Sequence, residues 1–112
     1  MFIRVEDFKK LGIKFDENFG AGAENYLGDE YILIADALRL GLKGTFLPIT
    51  VAMHPADSSG NLRNTKKDIS ARSHVFRRVF GFWAIPMRLA FLVKPPFKKF
   101  GFLNSIRFII GK

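Results

Sequence analysis

Two adjacent acids, Asp29 and Glu30, are the residues of this sequence best placed to do chemistry. They follow Gly28 and begin a run of helix-forming residues, so a helix start would hold both carboxylates still. A carboxylate within hydrogen-bond reach of a hydroxyl can take its proton while the oxygen attacks an electrophilic carbon. The two acids also suit a purely structural role, because negative charge in a first turn is stabilised by the helix dipole.

His54 and the acids Asp16 and Glu17 are further candidates for a site. His54 comes directly after an apolar segment, where a strand end would point its imidazole into a site, and imidazole suits Mn²⁺ better than Mg²⁺. A lone histidine before a turn is equally well explained as a surface residue. The two acids lie in a loop whose flanking rings, Phe15 and Phe19, are expected to anchor it in the core.

The elements predicted in the first half of the chain place these acids at a helix start and in a loop. Residues 4–11 favour a short helix that ends at Gly12, since glycine readily takes the left-handed angles of a helix end. A glycine-rich loop precedes Asp29, and the apolar pattern after it predicts an amphipathic helix that stops near Gly41. The acid pair would therefore occupy the first turn of a packed helix.

The second half is predicted to be mostly helical. Residues 45–53 first form an extended segment that Pro48 interrupts. Residues 69–83 then favour a basic amphipathic helix, within which His74 is expected to be a solvated residue. Pro86 is expected to break or kink the segment that follows, because it lacks a backbone N–H and clashes with the preceding turn.

Several of these short motifs occur in a fixed order over about residues 11–60. The string is Phe15-Asp16-Glu17-Asn18-Phe19-Gly20, Gly28-Asp29-Glu30, Arg39, Gly41, Pro48 and His54. Its order and spacing resemble the C-terminal half of the catalytic domain in family 2 glycosyltransferases. There, a Phe-Asp-Glu loop precedes a Gly-acid-acid helix start, and a proline-containing strand closes on histidine. Each piece is common by itself, and the ordered combination carries the resemblance.

The resemblance implies an α/β fold, namely a partial GT-A domain whose acceptor-side part spans residues 1–60. Enzymes of the family transfer a sugar, with inversion, from a nucleotide diphosphate donor to a glycan or lipid-linked acceptor, and they commonly build surface polysaccharide. The roles it implies for this chain are a catalytic base at Glu30 with Asp29 beside it to orient the acceptor or cap the helix, acceptor binding at Asp16 and Glu17, and a metal or diphosphate contact at His54.

The resemblance also implies a cofactor. Family enzymes usually hold the donor with a divalent metal, Mn²⁺ or Mg²⁺, that bridges the diphosphate and an Asp-x-Asp motif. This sequence has no Asp-x-Asp, and the nucleotide-binding half of the family's domain is expected to be missing from it. The resemblance therefore implies a fragment that is inactive in sugar transfer without its N-terminal half.

Charge is divided unevenly along the chain. Residues 1–60 carry six Lys and Arg against nine Asp and Glu, whereas residues 61–112 carry twelve Lys and Arg against Asp68 alone. The net charge of +8 therefore belongs to a polar basic connector, residues 61–74, and a basic aromatic amphipathic extension, residues 75–112. Cations interleaved with aromatic and aliphatic residues favour an anionic membrane surface. This predicts a cytoplasmic protein, peripheral to the inner face of the membrane.

Other interpretations stay open. The extension could instead pack against the rest of an enzyme, and the whole chain could be a non-enzymatic peripheral membrane-binding module. Nucleic-acid binding is disfavoured, because the many isoleucines and leucines gain little from stacked bases. The absence of cysteine excludes disulfides and Cys-ligated zinc, and no uncharged stretch approaches the roughly 20 apolar residues that a spanning helix needs.

Overall fold

The computed structural model describes residues 1–53, 65–94 and 100–112. Within those ranges the chain forms five α-helices: α1 Val5–Leu11, α2 Asp29–Arg39, α3 Lys66–Phe80, α4 Ala84–Val93 and α5 Phe102–Ile110. A 3-10 turn, Gly81–Trp83, joins α3 to α4. The central element is α3, which packs against α2, α4 and α5. It spans the predicted boundary between the connector, residues 61–74, and the extension, residues 75–112.

The predicted α/β fold, a partial GT-A domain, is wrong for the residues that the structure describes, because they form helices and no β-strand. Residues 45–53 are strand-like in sequence but have no regular secondary structure. A strand needs a neighbour that pairs its backbone N–H and C=O groups, and none of the described segments supplies one. The predicted interruption at Pro48 is present, since Ile49 N–H donates across it to Leu47 O at 2.8 Å.

The predicted helix boundaries agree better with the structure. Helix α1 ends at Gly12 with a left-handed φ of 66°, and α2 begins at Asp29. Helix α3 begins earlier than predicted, because Thr65 and Asp68 form a capping box in which each side chain accepts from the other's backbone N–H. The interruption between α3 and α4 is the 3-10 turn, which comes before Pro86. Pro86 then lies in the first turn of α4, where its missing N–H is not needed.

The main core lies between α3, α4 and α5 and is largely aromatic. Ile69, Phe100 and Phe108 are buried, and Phe76 and Phe91 pack against them. The ring of Phe76 meets those of Phe91 and Phe108 edge-on, with centroids 5.0 and 5.3 Å apart. Edge-to-face contacts of this kind are favoured by the ring quadrupoles. The inner side of the predicted extension therefore packs against its own chain.

A buried arginine fixes the end of α5. Arg88 is only 4% exposed, and its guanidinium donates to Ser73 O in α3 at 2.6 Å and to Ile109 O in α5 at 2.9 Å. Burial lowers the pKa of Arg88, and the nearby charge of Arg77 lowers it further. The hydroxyl of Ser73 donates in turn to Phe108 O at 3.0 Å. Polar contacts thus tie α3, α4 and α5 together.

Gly28 provides a test of how closely the first half of the chain packs on α3. Its φ is 93°, and a Cβ at this position would lie 2.3 Å from Val75 Cγ2. Gly41 has a similar φ of 85° with open space around it, so it is a matched control. We expect Gly28→Ala to lower the free energy of unfolding by about 2–4 kcal/mol, from both backbone strain and overpacking. Gly41→Ala should cost about 1–2 kcal/mol, from backbone strain alone. Urea denaturation measures both, and equal losses would contradict the close approach to Val75.

Candidate functional site

The first turn of α2 places its two acids differently. Asp29 is partly buried against the backbone of Gly20, since a Cβ at Gly20 would lie 2.8 Å from Asp29 Cγ. Glu30 is exposed. The loop at residues 15–20 and the helix start at residues 28–30 are therefore packed together, and glycine at position 20 is what allows the Asp29 side chain to fit. Two separate motifs of the sequence string meet at this point.

The start of α2 has no side-chain cap, either from an acid or from another residue. The N-cap of α2 is Gly28, with a left-handed φ of 93°, and no side chain caps the helix. Asp29 therefore does not cap α2, and packing against Gly20 is its structural role. Both acids still lie in the first turn, where the helix dipole favours their negative charge.

Asp16 belongs to an ion-pair network that joins its loop to α2 and α3. Arg78 Nε donates to Asp16 Oδ2 at 2.9 Å, and the two terminal nitrogens of Arg78 donate to the carboxylate of Asp36 at 2.8 and 3.2 Å. A second arginine, Arg39, pairs with Asp36 at 3.3 Å. A bidentate arginine–carboxylate pair has a fixed geometry, so the network sets the position of the loop.

The network also sets the charge of Asp16. Partial burial raises the pKa of Asp16, but hydrogen bonds from Asn18 and Arg78 outweigh it, so that this pKa lies below its ordinary value. The pKa of Arg78 is raised, chiefly by its hydrogen bonds to Asp36 and against the effect of burial. A carboxylate whose pKa is lowered by folding increases the free energy of unfolding at pH values above its ordinary pKa, near 4. This contribution is lost as the pH falls from there through the lowered pKa. Asp16 is therefore charged at neutral pH.

Asp16 and Glu17 line an open cleft of about 570 Å³ between their own loop, α2 and α3. The structure thus brings together the two acids that were predicted to bind the acceptor, with Arg78 beside them. Asp29 and Glu30 do not line this cleft. The predicted base therefore lies outside the cleft that the predicted acceptor residues line.

Polar contacts hold the loop before α2 along α3. Tyr26 Oη donates to Asp68 Oδ1, and His74 Nδ1 lies within hydrogen-bond distance of Asn25 Oδ1, at 2.7 Å. The prediction that His74 is solvated is wrong, because it is partly buried and hydrogen-bonded. An isolated bridge between Phe19 and Asn25 closes the loop. Asp68 and His74 lie 42 and 49 positions from their partners, so no local pattern could indicate these two contacts.

The predicted metal contact at His54 lies outside the described residues and stays a prediction, as does the requirement for Mn²⁺ or Mg²⁺. In the described ranges no three His, Cys, Asp or Glu side chains converge on a point that could hold a metal ion. The carboxylates of Asp16 and Asp36 instead form ion pairs with Arg78. Their oxygens are the ligands that a hard cation would need, and here they accept hydrogen bonds from the guanidinium.

A different kind of candidate site is an apolar face on α4 and α5. It is formed by exposed side chains, two of them from the preceding 3-10 turn: Phe82, Trp83, Ile85, Leu89, Val93, Phe102, Leu103, Ile106 and Ile110. In each helix these residues recur at spacings of three or four, which places them on one side. Other sides of the two helices bury Arg88 and Phe108. The two helices pack against each other, and exposed apolar side chains concentrated in neighbouring helices are typical of a binding surface.

The part of the sequence that carries this apolar face is basic. No Asp or Glu follows Asp68 in the sequence, and Arg77, Lys94 and Lys112 are exposed. None of the helices in the described ranges is long and apolar enough to cross a membrane. An apolar face with cations, in a stretch of sequence without Asp or Glu, suits the interface of an anionic bilayer.

Comparison of the chain with protein-family models, with curated proteins and with solved structures found no significant match. The case for a function therefore rests on the motifs of the sequence and on the contacts of the described residues.

Proposed function

We propose that this chain is the membrane-docked, acceptor-side part of a glycosyltransferase. The observation that carries the proposal is the apolar face of α4 and α5, which lies in a region without a carboxylate after Asp68. The complete enzyme transfers a sugar from a nucleotide diphosphate donor to a glycan or lipid-linked acceptor at the cytoplasmic face of the membrane. Docking on the bilayer brings the chain to the place where such acceptors are anchored.

The apolar face accounts for docking in physical terms. Phe82 and Phe102 are 85% and 80% exposed, and transfer of such rings from water into the interfacial region is favourable. Anionic headgroups attract the surrounding cations, at about 1 kcal/mol for each Lys or Arg near the surface. The two contributions act together, because no acidic side chain lies in α4 or α5 to oppose them.

The contact between Gly20 and Asp29 supports sugar transfer. It holds Asp29 in place and leaves the next carboxylate, Glu30, exposed, with no hydrogen bond or ion pair within the described residues. Glu30 accepts the proton of an acceptor hydroxyl while that oxygen forms a bond to the anomeric carbon of the donor. The bond from that carbon to the nucleotide diphosphate breaks, and the diphosphate leaves. Groups that hold the diphosphate and its metal lie outside the described residues.

The cleft at Asp16 and Glu17 contributes to acceptor binding in this proposal. The charged carboxylate of Asp16 and the exposed carboxylate of Glu17 can accept hydrogen bonds from sugar hydroxyls. Glu30 does not line the cleft, so in this proposal the acceptor reaches from the cleft to the first turn of α2.

The second candidate function is a non-enzymatic peripheral membrane-binding module. The same apolar face supports it, and in that case α1, α2 and their loops serve as a scaffold. The two functions share membrane docking and differ in whether Glu30 takes part in chemistry. Substitution of Glu30 therefore distinguishes them, whereas lipid binding does not.

Lipid binding tests the part of the proposal that both functions share. We expect the chain to sediment with vesicles that contain anionic lipid and to bind neutral vesicles much more weakly. Binding should fall as salt rises, because the screening length shortens from about 30 Å at 0.01 M to about 8 Å at 0.15 M ionic strength. Equal binding to neutral and anionic vesicles, or binding to neither, would contradict docking through an apolar and basic surface.

A further inference from the structure

A second cleft, of about 540 Å³, opens between the loop before α2, the start of α3 and the end of α5. Its lining brings together four cations from three parts of the chain: Lys66, Lys67, Arg107 and Lys112. One carboxylate, that of Glu24, also lines this basic cleft. The folded chain therefore concentrates positive charge in a concave site.

The cations of the basic cleft lack the carboxylate partners that the other cleft contains. In the first cleft, Arg78 and Arg39 are paired with Asp16 and Asp36. Among the described residues no ion pair forms within the basic cleft, even with Glu24. Like charges in one cleft repel each other, so a bound anion would relieve this repulsion.

Contacts around the basic cleft fix part of its wall. The ammonium group of Lys67 lies 5.2 Å from the centre of the Tyr26 ring, a cation–π distance. His74, which lines the cleft, is held through Nδ1 by Asn25. Ser70 adds a hydroxyl to the lining. The cations are thus presented together with an imidazole and a hydroxyl that can form hydrogen bonds to an anion.

We propose that the basic cleft binds a phosphate-bearing anion, either a soluble phosphorylated compound or a lipid headgroup. The planar guanidinium of Arg107 can contact two phosphate oxygens at once, and the lysines act as compact point charges. The carboxylate of Glu24 at the rim disfavours binding by adding repulsion, but it is opposed by four cations. Arg107 is next to Ile106 of the apolar face in the sequence, but the basic cleft includes no residue of that face and does not include Glu30, so this proposal does not rest on the proposed function.

Two double variants with the same charge change test this site. Lys66→Gln/Arg107→Gln removes two cations of the basic cleft, whereas Lys9→Gln/Lys10→Gln removes two from α1, which lines neither cleft. Both leave the apolar face unchanged. The probes are inorganic phosphate, followed by amide shifts in an NMR titration, and vesicles that contain phosphatidic acid, followed by co-sedimentation.

The cleft variant should bind at least one probe about tenfold more weakly than the parent chain, since two exposed charge contacts contribute about 1–2 kcal/mol together. The α1 variant should bind like the parent. An effect with inorganic phosphate identifies a soluble source, and an effect confined to vesicles identifies a headgroup. The proposal is overturned if neither probe binds the parent chain or if both variants weaken binding equally.

Discussion

Replacement of Glu30 by glutamine is expected to slow sugar transfer by the complete enzyme by about 10²–10⁴-fold, the usual contribution of a general base. Glutamine keeps the length and hydrogen-bonding reach of the side chain but cannot accept the proton of the acceptor hydroxyl. Glu30 is exposed and unpaired within the described ranges, so its replacement should not unfold the chain. Donor binding should change little, because the diphosphate is held elsewhere.

Asp29→Asn is the matched control for this prediction. It changes the same charge in the same helix turn, but at a side chain that packs against Gly20, so it should slow transfer much less than Glu30→Gln. The measurement is the transfer of labelled sugar by membranes of source cells in which each variant replaces the parent chain. A more severe effect of Asp29→Asn would move the base to Asp29. Near-normal transfer by both variants would leave the non-enzymatic module as the function.

Local patterns in the sequence predict the helices well. The glycine at position 12 and the acid at position 29 mark real helix ends, because these residues act through the backbone next to them. The sequence also contains a signal for the early start of α3, since Thr65 and Asp68 have the spacing of a capping box. Boundaries of this kind depend on neighbours within one turn, which the sequence shows directly.

The fold class could not be predicted in the same way. Residues 45–53 have the apolar and β-branched composition of a strand, yet a strand exists only where another segment pairs with it. In the described part of the chain these residues remain unpaired and exposed, with Phe46 88% and Met53 89% accessible. The α/β prediction assumed a sheet, and composition alone cannot supply the partner strands.

The candidate sites, too, could be predicted only where they depend on residues that are neighbours in the sequence. The sequence places Asp29 and Glu30 in one helix turn, but the contact of Asp29 with Gly20 depends on how the loop folds back. The basic cleft was not predicted at all, because Lys66 and Arg107 are brought to it by the packing of α5 on α3. A charge pattern along the chain indicates an anionic partner, whereas only the fold shows where the charges converge.

The apolar face can be tested with two identical dipeptides. Phe102 and Leu103 lie on the apolar face and are 80% and 70% exposed, and Phe46 and Leu47 lie outside it and are 88% and 64% exposed. Burial of a large apolar side chain contributes about 1.5–3 kcal/mol. Replacement of both residues of the apolar face by serine should therefore weaken vesicle binding by about 100-fold or more. The same replacement at residues 46 and 47 should change it little.

Membrane docking through α4 and α5 is tested most directly by co-sedimentation of these two double variants with anionic vesicles at physiological ionic strength. Neither variant changes the net charge, and circular dichroism shows whether both keep their helices. The proposal predicts that Phe102→Ser/Leu103→Ser stays in the supernatant, while Phe46→Ser/Leu47→Ser sediments with the vesicles like the parent chain. Equal sedimentation of the two variants, or loss of binding only in the variant at residues 46 and 47, would contradict docking through the apolar face.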